Sequence, residues 1–120
     1  MPEVKRMRRH IREAITIVKS YIDENPLNFN LNAVEELTQQ HELHVGKNIL
    51  HKGFKQLYGS SLKNYEKKKR LEAACPLLED GRLTLAQIAY KCGYGSQSSF
   101  ARAFKEIFSM TPTEYRDKIT

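Results

Sequence analysis

The chain has 120 residues and a formal net charge of +6, a length that suits one domain or two very small ones sharing a long element. With 40% hydrophobic and 28% charged residues, its composition is that of an ordinary globular chain and excludes a disordered one. No apolar run reaches the roughly 18–20 residues that span a bilayer, and no apolar stretch of a secretory signal follows the basic N-terminus. Two cysteines, Cys75 and Cys92, make no disulfide framework, so the sequence predicts a cytoplasmic protein that is not in a membrane.

The spacing of apolar residues predicts helices from one end of the chain to the other. A first helix of about 20 residues is expected to end before Pro26, because proline disfavours a helical residue before it. Asn32 followed by Glu35 resembles a capping box and predicts a short helix that ends near Gln40. The apolar stripe of the first helix consists of Met7, Ile11, Ile15, Val18 and Ile22.

Glycines and capping residues predict the other helix ends. A third helix is expected to end at Gly59, and a longer one runs from Leu62 to about Glu79, closed by Gly81. Pro76 predicts either a kink in this long helix, which we favour, or two shorter helices. Three more helices carry capping residues at their starts, namely Thr84, Ser96 and Thr111. The sequence therefore predicts an all-α fold of about seven helices.

A segment of the sequence occurs twice with an offset of 50 residues. Residues 54–65 align without gaps on residues 104–115, and the same offset pairs Lys52 with Arg102. A short capped helix precedes each copy, which indicates two helices joined by a tight turn, used twice. Such a helix-turn-helix unit can place its second helix in a major groove. A duplicated hairpin in a generic helical bundle is the alternative.

The excess positive charge is confined to one stretch. Residues 47–70 carry eight Lys or Arg against the single acid Glu66, whereas the segments before and after have net charges of −1 and zero. A local basic stripe is what binding to a polyanion needs, because each neutralised phosphate releases counterions. A solvated helix face would show the same pattern.

Several short motifs of the second half form one signature. They are Ile88-Ala89, Gly93-Tyr94, residues 96–105 and residues 111–116, with weaker counterparts at Gly53-Phe54-Lys55, Gly59, Tyr65 and Arg70-Leu71. This signature resembles the DNA-binding domain of the AraC/XylS family of bacterial transcription regulators, over about residues 10–118. The resemblance implies two helix-turn-helix halves, at about 5–60 and 81–119, joined by a linker helix at 61–80. It also implies that recognition helices at about 46–58 and 97–108 enter successive major grooves.

The first half departs from the family pattern around its turn. About two extra residues lie between His41 and Gly46, and Gly46 stands where a capping Ser or Asn is usual. Thr38 stands where a small alanine is usual, and Ser109 stands where the family has glycine. These departures, with Pro76, bear on the pose of the first recognition helix.

Polar side chains on the outward faces of the two recognition helices are the candidate DNA contacts. Arginine can bond guanine in bidentate fashion, and glutamine or asparagine can pair with adenine. The family positions imply base contacts from Asn48, His51 and Lys52 in the first half and from Gln97, Ser98 and Arg102 in the second. Contacts to the DNA backbone are expected from Lys47, Ser60, Lys63, Ser96, Ser99, Lys105 and Thr111. For the run Lys67–Lys69, backbone contacts and a solvated face remain equally open.

No arrangement in the sequence points to an enzyme, a metal site or a cofactor. His41 and His44 are one residue too close for the zinc-binding His-Glu-x-x-His spacing, and no glycine loop that cradles phosphates occurs. The resulting hypothesis is sequence-specific binding to double-stranded DNA and transcription regulation, typical of an activator, with RNA polymerase as a further partner. A sensor or dimerisation domain N-terminal to this segment stays open. The alternative is a helical protein-interaction module that contacts RNA polymerase or another regulator without reading DNA.

Overall fold

The computed structural model describes residues 7–28 and 34–119. These two ranges contain seven α-helices. No strand occurs in these two ranges, so the all-α prediction is confirmed. In chain order the helices are α1 Arg9–Glu24, α2 Val34–Gln40, α3 Lys47–Tyr58, α4 Leu62–Asp80, α5 Leu85–Lys91, α6 Gln97–Phe108 and α7 Pro112–Ile119.

These helices belong to two compact units, and each unit has its own core. The described residues up to Glu66 form the first unit and those from Lys67 onward form the second, so α4 contributes to both. In the first unit α1 packs against α2 and α3, and in the second α6 packs against α5 and α7. The first core contains Ala14, Ile15, Val18, Ile22, Val34, Val45, Leu50, Phe54 and Leu62. The second contains Leu71, Ala74, Leu78, Ile88, Ala89, Cys92, Phe100, Ala103 and Phe104.

Two capping boxes start helices of the second unit where the sequence predicts them. The Gln87 N–H donates to Thr84 Oγ1 over 3.1 Å, and the Thr84 N–H donates to Gln87 Oε1 over 2.9 Å. Thr111 and Glu114 make the same reciprocal pair at 3.1 and 3.0 Å. The bond from the Thr111 N–H to the Glu114 carboxylate holds the pKa of Glu114 below its usual value, because it favours the charged form. Each box satisfies two backbone N–H groups that would otherwise lack partners.

Left-handed residues follow the ends of five of the described helices, and the one after α2 is Glu42, with a φ angle of 58°. Gly59, Gly81 and Gly93 have φ angles of 76°, 75° and 83°, a region that favours glycine because it has no Cβ. Ser109 adopts the same conformation with φ 61° after α6 and donates its backbone N–H to the carbonyl of Lys105 over 2.9 Å. Serine thus adopts at this position the left-handed conformation that Gly59, Gly81 and Gly93 adopt after their helices.

Two predictions about helix length need correction, and the prediction of one capping residue concerns a part of the chain that is not described. Pro76 lies within a single uninterrupted helix α4, so the alternative of two shorter helices is wrong, while the kink stays a prediction. Helix α1 begins at Arg9 and has 16 residues, fewer than the predicted 20 or so. Met7 of the predicted apolar stripe lies before the helix, where it is partly buried and packs on the core. The predicted cap at Asn32 lies outside the described residues.

Gly53 allows α1 to lie close against α3. A Cβ added to Gly53 would lie 2.7 Å from Ile15 Cδ1 and 3.2 Å from Met7 Cε. Because Ile15 is fully buried in a close-packed core, its side chain cannot move aside freely. The equivalent position in the second unit is Ala103, so both copies of the repeat keep a small residue there.

We expect Gly53→Ala to be tolerated better when Ile15 is shortened. Overpacking costs about 1–3 kcal/mol, and alanine recovers about 1 kcal/mol of helix propensity over glycine. Ile15→Val removes Cδ1, so the double variant should be more stable than the sum of the single changes by about 1 kcal/mol. Urea denaturation of the four proteins measures this coupling. Strict additivity would contradict the contact.

Candidate nucleic-acid interface

Helix α6 begins at a serine cap and is anchored by two aromatic side chains. The Ser99 N–H donates to Ser96 Oγ over 3.1 Å, and Ser99 Oγ lies 3.0 Å from both the carbonyl oxygen and the hydroxyl of Ser96. Phe100 and Phe104 are fully buried on one side of the helix. The buried side fixes the rotation of α6 about its axis, so the opposite side must face outward.

The outward side of α6 carries four of the predicted DNA contacts, namely Gln97, Ser98, Arg102 and Lys105, and all four are exposed. Ser98 and Arg102 are four residues apart, which makes them neighbours on the helix surface. Within the described part of the chain, no hydrogen bond or ion pair holds the side chain of Gln97 or Arg102. Their donors are therefore available to an external partner.

Helix α3 presents an equivalent surface in the first unit. Its start differs, because the N-cap is Gly46, which provides no side-chain bond to the first turn. Lys47, Asn48 and Lys52 are exposed, while Leu50 and Phe54 are buried. The 50-residue offset places Asn48 and Lys52 at the positions of Ser98 and Arg102. Both units therefore expose polar side chains at matching positions of their second helix.

His51 differs from the other predicted base contacts. Its side chain is half-buried, and its Nε2 atom is enclosed without a hydrogen-bond partner among the described residues. A buried polar nitrogen without a partner is rare in folded proteins. The structure thus brings Asn48 and Lys52 to one surface of α3 and turns the Nε2 of His51 away from it.

The hydroxyl groups of all four predicted backbone contacts that carry one are engaged within the protein, including the Ser96 and Ser99 hydroxyls at the start of α6. Thr111 Oγ1 accepts the capping bond of α7, and the Ser60 hydroxyl donates to the carbonyl of Ser61 over 3.4 Å. Lys63, in the first turn of α4, is exposed. Lysines 47, 63 and 105 consequently offer the more accessible groups for phosphate.

The basic run of α4 is partly used in ion pairs of the second unit. Lys67 Nζ lies 3.0 Å from Glu106 Oε2 and so connects α4 to the outward side of α6. Lys69 Nζ lies 3.6 Å from Glu72 Oε2 on its own helix. Exposed pairs of this kind contribute about 0–1 kcal/mol each. They also reduce the positive charge that this run presents to solvent.

Arg70, next in the run, has a structural role. Its guanidinium carbon lies 5.5 Å from the centre of the Tyr94 ring, a cation–π arrangement. A Cβ added to Gly93 would lie 3.6 Å from Arg70 Nη1, so the residue also covers the turn between α5 and α6. Lys68 remains exposed. The run therefore supports the second helix-turn-helix unit more than it extends a basic surface.

Sequence reasoning missed the contacts that attach α7 to the second unit. Arg116 donates to the carbonyls of Leu78 and Leu83 over 3.1 and 2.9 Å. The Tyr115 hydroxyl donates to Glu79 Oε2 over 2.9 Å, and this bond raises the pKa of Tyr115. The partners lie 33–38 residues apart in the chain, so no local pattern announces them. These bonds attach α7 to the end of α4 and to the segment that follows it.

The described residues offer little to other chemistry. Burial raises the pKa of the Cys92 thiol to about 11, and burial also raises the pKa of Cys75, so neither is activated as a nucleophile. Both thiols are free. Within residues 7–28 and 34–119, no group of three or more His, Cys, Asp or Glu side chains could hold a metal ion. In the same ranges, none of the helices combines the length and apolar character that crossing a membrane requires.

Comparison with known proteins identifies the repeated unit. A family model described as a helix-turn-helix domain matches residues 41–118. The HTH-type transcriptional activator RhaR of Mannheimia succiniciproducens is 36% identical over 83 residues, which cover 69% of this chain. The crystal structure of a probable AraC family transcriptional regulator from Rhodopseudomonas palustris superposes with a TM-score of 0.75 and 26% identity, covering 89% of this chain and 97% of that one.

A second solved structure supports the fold alone. The DNA-binding domain of AdpA, in complex with a target DNA, has a TM-score of 0.73 at 19% identity and covers 88% of this chain and 91% of that one. The match to RhaR covers 29% of that regulator's length, and matches to two other curated regulators cover 24–25% of theirs. The chain thus spans about a quarter of the length of these relatives.

Proposed function

We infer that this chain, which belongs to the AraC/XylS family of bacterial transcription regulators, binds double-stranded DNA with sequence preference and thereby regulates transcription. One observation carries the proposal. The second helix of each unit buries its apolar side and exposes polar side chains at matching positions, Asn48 with Ser98 and Lys52 with Arg102. A duplicated unit with polar groups at equivalent positions suits double-stranded DNA, whose major groove presents base edges again at each helical turn.

In the proposed complex the two recognition helices lie in successive major grooves. Arg102 bonds the O6 and N7 atoms of a guanine, and Gln97 pairs with an adenine. In the first unit, Asn48 and Lys52 take the corresponding roles. Lys47, Lys63 and Lys105 contact phosphates, which position the protein without reading sequence.

The wider role of the protein is part of the same proposal. The chain has no enzymatic activity of its own and acts in the cytoplasm, where its DNA target lies. Contact with RNA polymerase would let it activate a promoter. These statements extend the proposed DNA-binding role and depend on it.

A salt series tests the proposal directly. The purified chain is titrated by fluorescence anisotropy against labelled genomic duplexes, with heparin as a competing polyanion. The logarithm of the binding constant should fall linearly with the logarithm of salt concentration, with a slope near −0.9 per phosphate contact, or about −2.7 for the three proposed lysine contacts. Duplexes selected for tight binding should outcompete random duplexes at every salt concentration.

The opposite result favours the interaction module. If duplex DNA binds no better than heparin and selection enriches no sequence, the basic stripe is a solvated surface. A matched control is Lys68→Met, which removes one exposed lysine that has no assigned DNA contact. This variant should leave the salt slope unchanged. Lys63→Met removes a proposed phosphate contact, so it should make the slope less steep by about one.

A further inference from the structure

Helix α3 carries a large apolar side chain at its exposed start. Ile49 is the third residue of the helix, and 52% of its surface is exposed. Single apolar residues on a protein surface are common and need no explanation by themselves. Its position is what matters, because it directly follows Asn48 and precedes Lys52 by three residues, so it borders both predicted base contacts.

Ile49 lies at the edge of a groove of about 510 Å³ between the start of α1 and α3. The groove has a mixed lining of apolar and polar residues, namely Met7, Arg8, Ile11, Lys52, Gly53 and Gln56. All of these residues belong to the first unit. With half of its surface exposed, Ile49 presents apolar area to solvent next to Asn48 in the chain, and its branching at Cβ limits the rotamers that it can adopt.

The major groove offers one apolar group that such a side chain can recognise. Thymine carries a 5-methyl group there, and apolar side chains near the N-terminus of a recognition helix contact it. We propose that Ile49 is a specificity-determining residue that contacts a thymine methyl group in the half-site bound by the first unit. This inference rests on the proposed DNA-binding function and adds to it the identity of a base.

The second unit lacks this feature, which makes the inference specific to one half-site. Its equivalent residue is Ser99, whose hydroxyl bonds to Ser96. His51, two residues further along α3, is half-buried with its Nε2 enclosed, so Ile49 is more exposed than that predicted polar contact. The dependence on a methyl group should therefore appear in the first half-site and be absent from the second.

Replacement of thymine by deoxyuridine removes the methyl group and leaves base pairing intact. A duplex is first selected with the wild-type chain, and each thymine is then replaced singly by deoxyuridine. We expect a replacement in the first half-site to weaken wild-type binding about fourfold, which corresponds to about 0.8 kcal/mol for one buried methyl group. In Ile49→Ala the same replacement should change affinity by less than about 1.5-fold.

Two controls make the cycle decisive. Ile49→Val keeps a branched apolar side chain and should retain the methyl effect, and Tyr90→Ala, at an exposed residue outside the predicted contacts, should leave it unchanged. Because half of Ile49 is exposed, Ile49→Asn is a second variant for the cycle if Ile49→Ala folds poorly by circular dichroism.

The outcomes distinguish this inference from the function on which it rests. Equal methyl effects in the wild type and Ile49→Ala, or no methyl effect at any thymine, overturn the inference and leave DNA binding intact. If selection enriches no sequence and binding does not depend on salt, the proposed function fails and this inference fails with it.

Discussion

Replacing Arg102 by alanine should weaken binding to a selected duplex by about 5- to 150-fold, while binding to random duplexes changes little. The side chain is exposed on α6 beside Ser98, and none of the described residues forms an ion pair or hydrogen bond with its guanidinium. A bidentate contact to guanine contributes about 1–3 kcal/mol of discrimination against the wrong base. Anisotropy titrations with both classes of duplex at one salt concentration measure the ratio.

Lys105 provides the matched comparison on the same helix. Lys105→Ala removes a cation of the proposed phosphate contacts, so it should weaken selected and random duplexes by the same factor and make the salt slope less steep by about one unit. If Arg102→Ala also weakened both duplexes equally, Arg102 would be a phosphate contact and would not read a base. Arg102→Lys should recover charge without the bidentate geometry, and hence little of the preference.

Phe104→Ala should lower the free energy of unfolding by about 3–5 kcal/mol. The Phe104 ring is fully buried and packs against three other aromatic rings, with centroid distances of 4.5 Å to Phe108, 5.8 Å to Tyr115 and 5.9 Å to Phe100. Loss of the ring leaves a cavity that the rings around it cannot fill completely. Small domains have only about 5–15 kcal/mol of total stability, so much of the second unit's reserve would be lost.

Tyr90→Ala is the control for this loss. Tyr90 is an aromatic residue of the same unit with 83% of its surface exposed, so its removal should change stability by less than about 0.5 kcal/mol. Urea denaturation followed by far-UV circular dichroism compares the two variants with the wild type. Equal stability of Phe104→Ala and Tyr90→Ala would show that the ring cluster does not stabilise the fold.

Helix ends were the most predictable part of this fold, because the interactions that set them are local. The bonds of Thr84 with Gln87 and of Thr111 with Glu114 span three residues, so the letters alone reveal them. The left-handed conformation after α3 needs a residue without a Cβ, and Gly59 supplies it. The internal repeat then located the second helix of each unit.

Contacts between distant segments were not predictable, because sequence spacing carries no signal for them. Lys67 forms an ion pair with Glu106, which lies 39 residues away in the chain. The neighbouring basic residues in the sequence give no sign of this partner. The buried Nε2 of His51 depends on what packs around α3, so the residue's position in the family pattern could not reveal it. Similarly, the groove beside Ile49 forms only when α1 lies on α3. The candidate site was therefore predictable in its location and less so in its individual groups.

Helix α4 has a consequence for how strongly the proposed complex discriminates between whole and partial targets. It is one continuous helix that contributes residues to both units, so the two recognition helices are always linked covalently. Once one of them has bound, the other binds its half-site intramolecularly, so its local concentration no longer depends on the concentration of the protein. The resulting avidity can make a complete target about 10²- to 10⁴-fold tighter than either half alone. A promoter that loses one half-site would then lose nearly all occupancy, although every contact to the other half remained.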